Sequence, residues 1–290
     1  MLKTAFADAG AVSCAFGRLL RQWRGARQVS QLDLALAAEV SPRHLSFVET
    51  GRAAPSRDMV LRLGETLDLP LRARNELLNA AGYAPIFNET ALVEPVMDGV
   101  KTALAFILRQ QEPYPALVVD RGWRIFDRNA AALRLRNAFL DPEKFAAAGA
   151  AARNAMKLIF DPLLYRPFVE DWEEIALQIL LRLRHEAREG AVGEPAAQLL
   201  RELMAYPGAP QPNFAAALPP NEPLMTVTLR KGDVRIKYFS TLSTFGTPQD
   251  ITLQELRIKS FFPADAESAE TFHRWAAEER KAAARSSSAA

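Results

Sequence analysis

The stretch Ser30-Gln-Leu-Asp-Leu-Ala-Leu-Ala-Ala-Glu-Val-Ser41-Pro-Arg-His-Leu-Ser-Phe-Val-Glu-Thr-Gly51-Arg52 decides how the chain is read. Ser30 is an N-cap residue with Asp33 three positions on, a capping box that satisfies orphan donors at a helix start. The helix that follows is predicted to direct Leu32, Ala35 and Leu36 inward, with Ala35 small enough for a close crossing. A turn at Glu39-Val40 leads to Ser41, a second N-cap, and to Pro42 at the first helical position, where a missing N–H is tolerated. Gly51 stands where a helix C-terminus takes a positive φ. On this second helix Leu45 and Val48 face a core, while Arg43, His44 and Phe47 share the opposite arc. Arg43 there can donate two hydrogen bonds to a guanine edge, and Phe47 can touch a thymine methyl. Gln31, Ser41 and His44 fit backbone phosphate contacts, which position without specifying. Pro42 and Arg52 complete the predicted DNA-binding set.

Working outward, Phe16, Leu19, Leu20 and Trp23 line one face of a helix beginning at Phe16. Downstream, Ser56 caps a fourth helix through Met59, Val60, Leu63 and Leu67. A fifth starts near Pro70, carries Leu71, Leu77 and Leu78, and ends at Gly82. Five short helices predict an all-α domain over 14–84, preceded by a tail over 1–13. The pattern Gln31-x-x-x-Ala35, Ser41-x-x-x-Leu45-Ser46-x-x-Glu49-x-Gly51-Arg52 and Pro55-Ser56 resembles the XRE family of phage-repressor-type helix-turn-helix regulators. Glu39 stands where that family usually carries glycine. The resemblance implies a lambda-repressor-like fold and a double-stranded DNA operator as partner.

Bulk properties agree with a two-domain globular chain. The 290 residues are 49% hydrophobic and 24% charged, with a net charge of +2. Residues 1–85 carry eleven Lys and Arg against eight Asp and Glu, and ten of the eleven are arginine, the better phosphate ligand. That excess supports the motif but is too small to argue DNA binding alone. Met1 to Cys14 lacks a basic start followed by an apolar block, and no run reaches the roughly 18 apolar residues of a membrane span. The single Cys14 excludes an internal disulfide framework. These features predict a cytoplasmic protein with no membrane partner.

Beyond a linker and connecting helix at 85–111, Pro115–Asp120 and Trp123–Asp127 flank Arg121-Gly122 as a predicted hairpin. Helices are predicted from Asn129 to Ala216, then a proline-rich break over 210–223. A second hairpin places Leu224–Arg230 and Val234–Leu242 around Lys231-Gly232-Asp233. Ile251 to Phe262 alternates, with Leu256 and Ile258 on one face and Glu255, Arg257 and Lys259 on the other. Ser268 to Ala284 reads as an amphipathic helix, and 281–290 as a disordered tail. Two strands, a helical insertion and three strands predict an α+β chain whose domain at 112–280 is a five-stranded antiparallel sheet of PAS-like type. Gln111–Trp123, Asn129, Phe160-Asp-Pro162 with Trp172, and above all Thr244–Asp265 resemble the MmyB-like ligand-binding domain of bacterial regulators.

The resemblance implies a pocket for a small, apolar or fatty-acid-like ligand and no other cofactor. Candidate lining residues are Trp123, Phe126, Ile159, Phe160, Trp172, Leu180, Tyr238, Phe239 and Phe245. Arg153, Asn154, Arg182 or Arg184 would supply the cationic or donor end an acid requires. Asn129 more often caps the following helix than touches a ligand. Three histidines (His44, His185, His273) and the absence of phosphate-loop, CxxC and nucleophile-elbow patterns argue against an enzyme and against a metal site. A homodimer is expected, because one recognition helix reads only a few base pairs. The competing reading gives the C-terminal domain a dimerisation or protein-interaction role without ligand.

Overall fold

A computed structural model describes residues 2–189, 195–214 and 224–288. The part of the proline-rich break at 215–223, the end of the tail at 289–290, and 190–194 lie outside the described residues. The chain forms two compact units: chiefly Met1–Ala91 with Gly246–Gln254, and chiefly Leu92–Ala187, Gly193–Phe245 and Glu255–Ala290.

In the first unit, α1 (Leu2–Ala26), α2 (Gln31–Ala37), α3 (Pro42–Glu49), α4 (Arg57–Thr66) and α5 (Leu71–Ala80) enclose a core of Phe16, Leu20, Leu34, Leu45, Leu63 and Leu77. The first helix starts at Leu2, well before the predicted Phe16. The caps stand as predicted: the Ser30, Ser41 and Ser56 hydroxyls accept from the N–H groups of Asp33, His44 and Met59. Glu39 adopts φ +52°, a left-handed turn that explains why glycine is the commoner residue there. The inward face of α2 differs from expectation. Leu34 and Ala35 are buried, whereas Leu32 and Leu36 are 56% and 65% exposed. Residues two apart on a helix lie about 200° around the axis, so burying Leu34 turns both neighbours outward.

The second unit opens with α6 (Asp98–Gln110) and the hairpin β1 (Ala116–Val119) and β2 (Ile125–Arg128). The helices α7 (Ala130–Phe139), α8 (Pro142–Ala147), α9 (Lys157–Phe160), α10 (Trp172–Glu189) and α11 (Pro195–Met204) form the insertion. Strands β3 (Thr226–Lys231) and β4 (Val234–Ser243) pair around Gly232, whose φ of +57° closes the tight turn. The chain continues through α12 (Ile251–Glu255), β5 (Arg257–Pro263) and α13 (Ala266–Ser288). All five strands form one antiparallel sheet in the order β2-β1-β5-β4-β3, giving the α+β, sheet-and-helix domain expected.

Asn129 caps α7 and also ties the elements around it. Its Oδ1 accepts from the N–H of Ala116 and Ala132 (both 3.0 Å), and its Nδ2 donates to the carbonyls of Leu108 and Tyr114.

Strand β5 is central, and both its faces are covered. Leu256 and Ile258 pack with Ala116, Val118, Leu104 and Leu108 on the α6 side. Phe261 joins the larger core on the other side, with residues of α7, α9 and α10. Two expectations for 251–262 are corrected here. Ile251–Glu255 is helical rather than extended, because Asp250 caps it by accepting from Thr252 N–H at 2.8 Å. Lys259, read as part of the polar face of an alternating strand, is only 6% exposed.

Gly246–Gln254 belongs to the first unit. The Leu71 N–H donates to Gln254 Oε1 at 2.8 Å, capping α5 where Pro70 makes no side-chain cap. Asp250 accepts from Thr90 N–H and Oγ1 (3.1 and 2.7 Å).

Candidate functional site

The predicted DNA-reading helix α3 is held from below by its buried residues. Leu45 and Val48 enter the core, and the Glu49 carboxylate is 2% exposed. Arg24 meets that carboxylate from α1 with Nε at 2.9 Å and Nη2 at 3.3 Å, and Gln31 donates Nε2 to it at 2.7 Å. Buried charge persists when paired and hydrogen-bonded, and Glu49 has three such donors. Behind it, α1 and α3 approach so closely that a Cβ on Gly17 would stand 2.3 Å from the Glu49 carbonyl oxygen. The recognition helix is thereby fixed against the unit that carries it.

On its outer side Ser41, Pro42, Arg43 and His44 are exposed, and Phe47 is half-buried. The Arg43 guanidinium lies over the Phe47 ring at 5.5 Å. Arg52 is exposed at the end of the turn, its N–H bonded to the Phe47 carbonyl. Gln31 stands apart from these, since its amide donates inward to Glu49.

In the second unit a cavity of ≈ 70 Å³ lies beneath the inner face of the sheet. Leu117, Leu158, Ile159 and Leu229 give it apolar walls, and Tyr165, Tyr238, Lys259, Arg128 and Arg136 are the polar residues of its lining. A smaller space of ≈ 20 Å³ shares Ile159, Tyr238 and Lys259 and adds Arg182 and Phe239. Burial pushes both tyrosine hydroxyls well above the ordinary phenol range, so they are neutral donors at physiological pH. Burial, with help from the nearby Arg182 charge and against that of Glu186, pulls Lys259 down to about 7.

The ligand candidates scatter. Tyr238 lines both spaces and Phe239 the smaller one. Trp123 is fully buried with φ +62°, and Arg182, Arg257 and Lys259 all approach its ring. Phe126 faces outward beneath Arg124, as alternation along β2 requires when Ile125 is buried. Phe160 packs edge-on with Trp172, whose indole donates to the Ile159 carbonyl. Asn154 Nδ2 donates to the Gly122 carbonyl at 2.7 Å, and its Oδ1 accepts from Met156 and Lys157. With Arg153 it lines a separate, open depression that also holds Arg124, Arg136 and Lys157. Arg184 lies over Phe214, and Phe245 packs beside α6. Sequence reasoning missed Lys259 and Tyr165. A lysine at an apolar position of a central strand is the signal, visible only once β5 is known to be central.

A helix-turn-helix unit joined to a cavity-bearing sheet domain defines a transcription regulator with a DNA-binding and a ligand-binding module. Residues 15–77 match the family model of the helix-turn-helix domain, and residues 100–274 match that of the MmyB-like transcription regulator ligand binding domain. The chain belongs to the MmyB-like family. A solved structure, the clp gene regulator ClgR from Corynebacterium glutamicum, is 24% identical over 35% of this chain and 95% of that one, with a TM-score of 0.22. None of the curated proteins compared with the chain matches it. No helix among the described residues is long and apolar enough to cross a membrane.

Proposed function

We propose that the protein is a sequence-specific regulator of XRE type that binds a palindromic operator as a homodimer and responds to a small apolar or fatty-acid-like ligand held under the sheet. The observation that carries the DNA half is the exposed Arg43 stacked over the half-buried Phe47 on a helix whose opposite side is locked into the core. Arg43 and Phe47 read bases; Ser41, His44 and Arg52 meet phosphates, with Pro42 setting the start of the helix. Gln31 contributes by holding Glu49, and hence the end of α3, through its side-chain amide rather than by donating that amide to a phosphate. The cavity, with mainly apolar walls and a few tyrosine, lysine and arginine side chains in its lining, supports the sensing half.

Footprinting on the region upstream of the protein's own gene, with and without extracted cellular lipid, tests both halves. Two protected half-sites about 34 Å apart are expected, with protection changed by the lipid fraction. Even protection along any DNA would remove sequence specificity, and a lipid-independent footprint would favour a purely assembling C-terminal domain.

A further inference from the structure

Five cations line the open depression of ≈ 920 Å³ in the second unit: Arg124, Arg128, Arg136, Arg153 and Lys157. They come from β2 and the residue before it, from α7, from the helical turn Ala151–Arg153 and from α9. No Asp or Glu is among the lining residues. Lys157 pairs with Glu202 at 2.6 Å. The four arginines form no ion pair among the described residues. Elsewhere in this unit arginines meet carboxylates, as Arg121 meets Glu255 and Arg235 meets Asp265.

Two of the four guanidinium groups are oriented by neutral partners instead. Arg136 lies over the Phe145 ring at 4.9 Å and donates Nε and Nη2 to Asn137 Oδ1 at 3.1 and 2.9 Å. Arg124 lies over the Phe126 ring at 4.9 Å, and its backbone N–H donates to Asp120 Oδ1 at 2.9 Å. A ring or an amide oxygen orients a guanidinium without cancelling its charge. The segment that carries Arg153 is pinned as well. Arg124 and Asn154 form an antiparallel bridge, and the Ala155 N–H donates to the Trp123 carbonyl at 2.9 Å.

Like charges gathered on a concave surface repel one another until an anion enters. One arginine fork takes up two phosphate oxygens, so four unmatched forks suit more than one phosphate. We propose that this depression binds a small polyphosphorylated molecule, its phosphates held by Arg124, Arg128, Arg136 and Arg153. Its volume falls within the roughly 300–1,000 Å³ typical of small-molecule pockets, and Leu133 and Phe145 add apolar lining. Arg128 and Arg136 are half-buried within it, where a rigid duplex lying across the opening does not reach. The site differs from the cavity under the sheet. Tyr165, Tyr238 and Lys259 line that cavity and not the depression, whereas Arg124, Arg153 and Lys157 line the depression and not the cavity. Arg128, Arg136 and Phe145 form a wall common to both, and the assignment does not depend on what the cavity holds.

Calorimetric titration of the full chain with inorganic triphosphate, magnesium-free ATP and orthophosphate tests it. Triphosphate or ATP is expected to bind at least about tenfold more tightly than orthophosphate, and more weakly as salt rises. ATP binding above triphosphate assigns the apolar lining to a nucleoside; equal binding assigns the site to the phosphates alone, and either result supports the proposal. Arg124→Gln and Arg153→Gln, both at exposed positions, are each expected to weaken binding about tenfold. Arg109→Gln removes an exposed arginine that lies over Phe106 on α6, outside the depression, and is expected to leave binding unchanged. Circular dichroism checks that each variant is folded. An equal loss in Arg109→Gln, binding untouched by both Arg124→Gln and Arg153→Gln, or no preference over orthophosphate overturns the proposal. Displacement of bound ATP by a duplex of unrelated sequence at fixed salt also overturns it, in favour of a nucleic-acid surface.

Discussion

Arg43 and Lys259 are the two side chains on which single-residue tests bear most directly. Arg43 rests over Phe47, so its guanidinium plane is partly oriented before DNA arrives. Arg43→Ala is expected to cost about 1–3 kcal/mol on the preferred operator and to relax one base position, read by titrating operator variants. An equal loss on random DNA would make Arg43 a phosphate contact. Lys259 makes a prediction about stability that is independent of any ligand. Its folded-state pKa is about 7, below the unfolded value of 10.5, so in that window the unfolded chain binds more protons. Stability therefore climbs with pH from this group, by at most roughly 1.4 kcal/mol per pH unit, and its penalty is complete below the folded value. Lys259→Met is expected to melt above wild type at about pH 7, with the gap narrowing toward about pH 9.5. Thermal melts of both proteins at the two pH values check it. A constant gap would mean that Lys259 is not desolvated in the native state.

At the scale of elements, the caps and turns were legible and the helix faces only partly so. Ser30, Ser41 and Ser56 cap α2, α3 and α4 because such bonds depend on residues three apart in sequence. The Gly232 turn is local in the same way. The face of α2 is not local. Its seven residues Gln-Leu-Asp-Leu-Ala-Leu-Ala are apolar on nearly every side, so packing against neighbouring helices selects Leu34 and leaves Leu32 and Leu36 outside. Asn129 is a case where the local reading was right and incomplete. The cap on α7 follows from sequence, but the bonds to Ala116, Leu108 and Tyr114 join three elements that only folding brings together. Asn129→Ala leaves several of those buried groups unpaired and is expected to cost roughly 2–4 kcal/mol. Chemical denaturation followed by the tryptophan signal measures it, and a cost within about 0.5 kcal/mol would show that water replaces the side chain.

At the scale of the whole molecule, DNA binding is expected to depend steeply on salt, because each arginine-neutralised phosphate releases counterions. Two chains per operator are expected, with a log–log salt slope about twice that of a single half-site fragment. Sedimentation on operator DNA gives the stoichiometry, and one chain per operator at saturation would rule out the dimer. The chemistry of such a protein is distributed unevenly between what is local and what is not. The sequence by itself determined the helix-turn-helix, the two hairpins and the α+β order of elements, since each depends on caps, turns and periodicities within a few residues. It also placed Arg43, His44 and Phe47 on one arc, because helical spacing alone does that. Only the tertiary structure decided which candidate residues meet in a cavity. Alternation along 256–261 shows that the two faces of a strand differ; it does not show what covers each face. Placing β5 between β1 and β4, with helices over both sides, turns the apparent solvent face inward and buries Lys259 against the Trp123 and Phe261 rings.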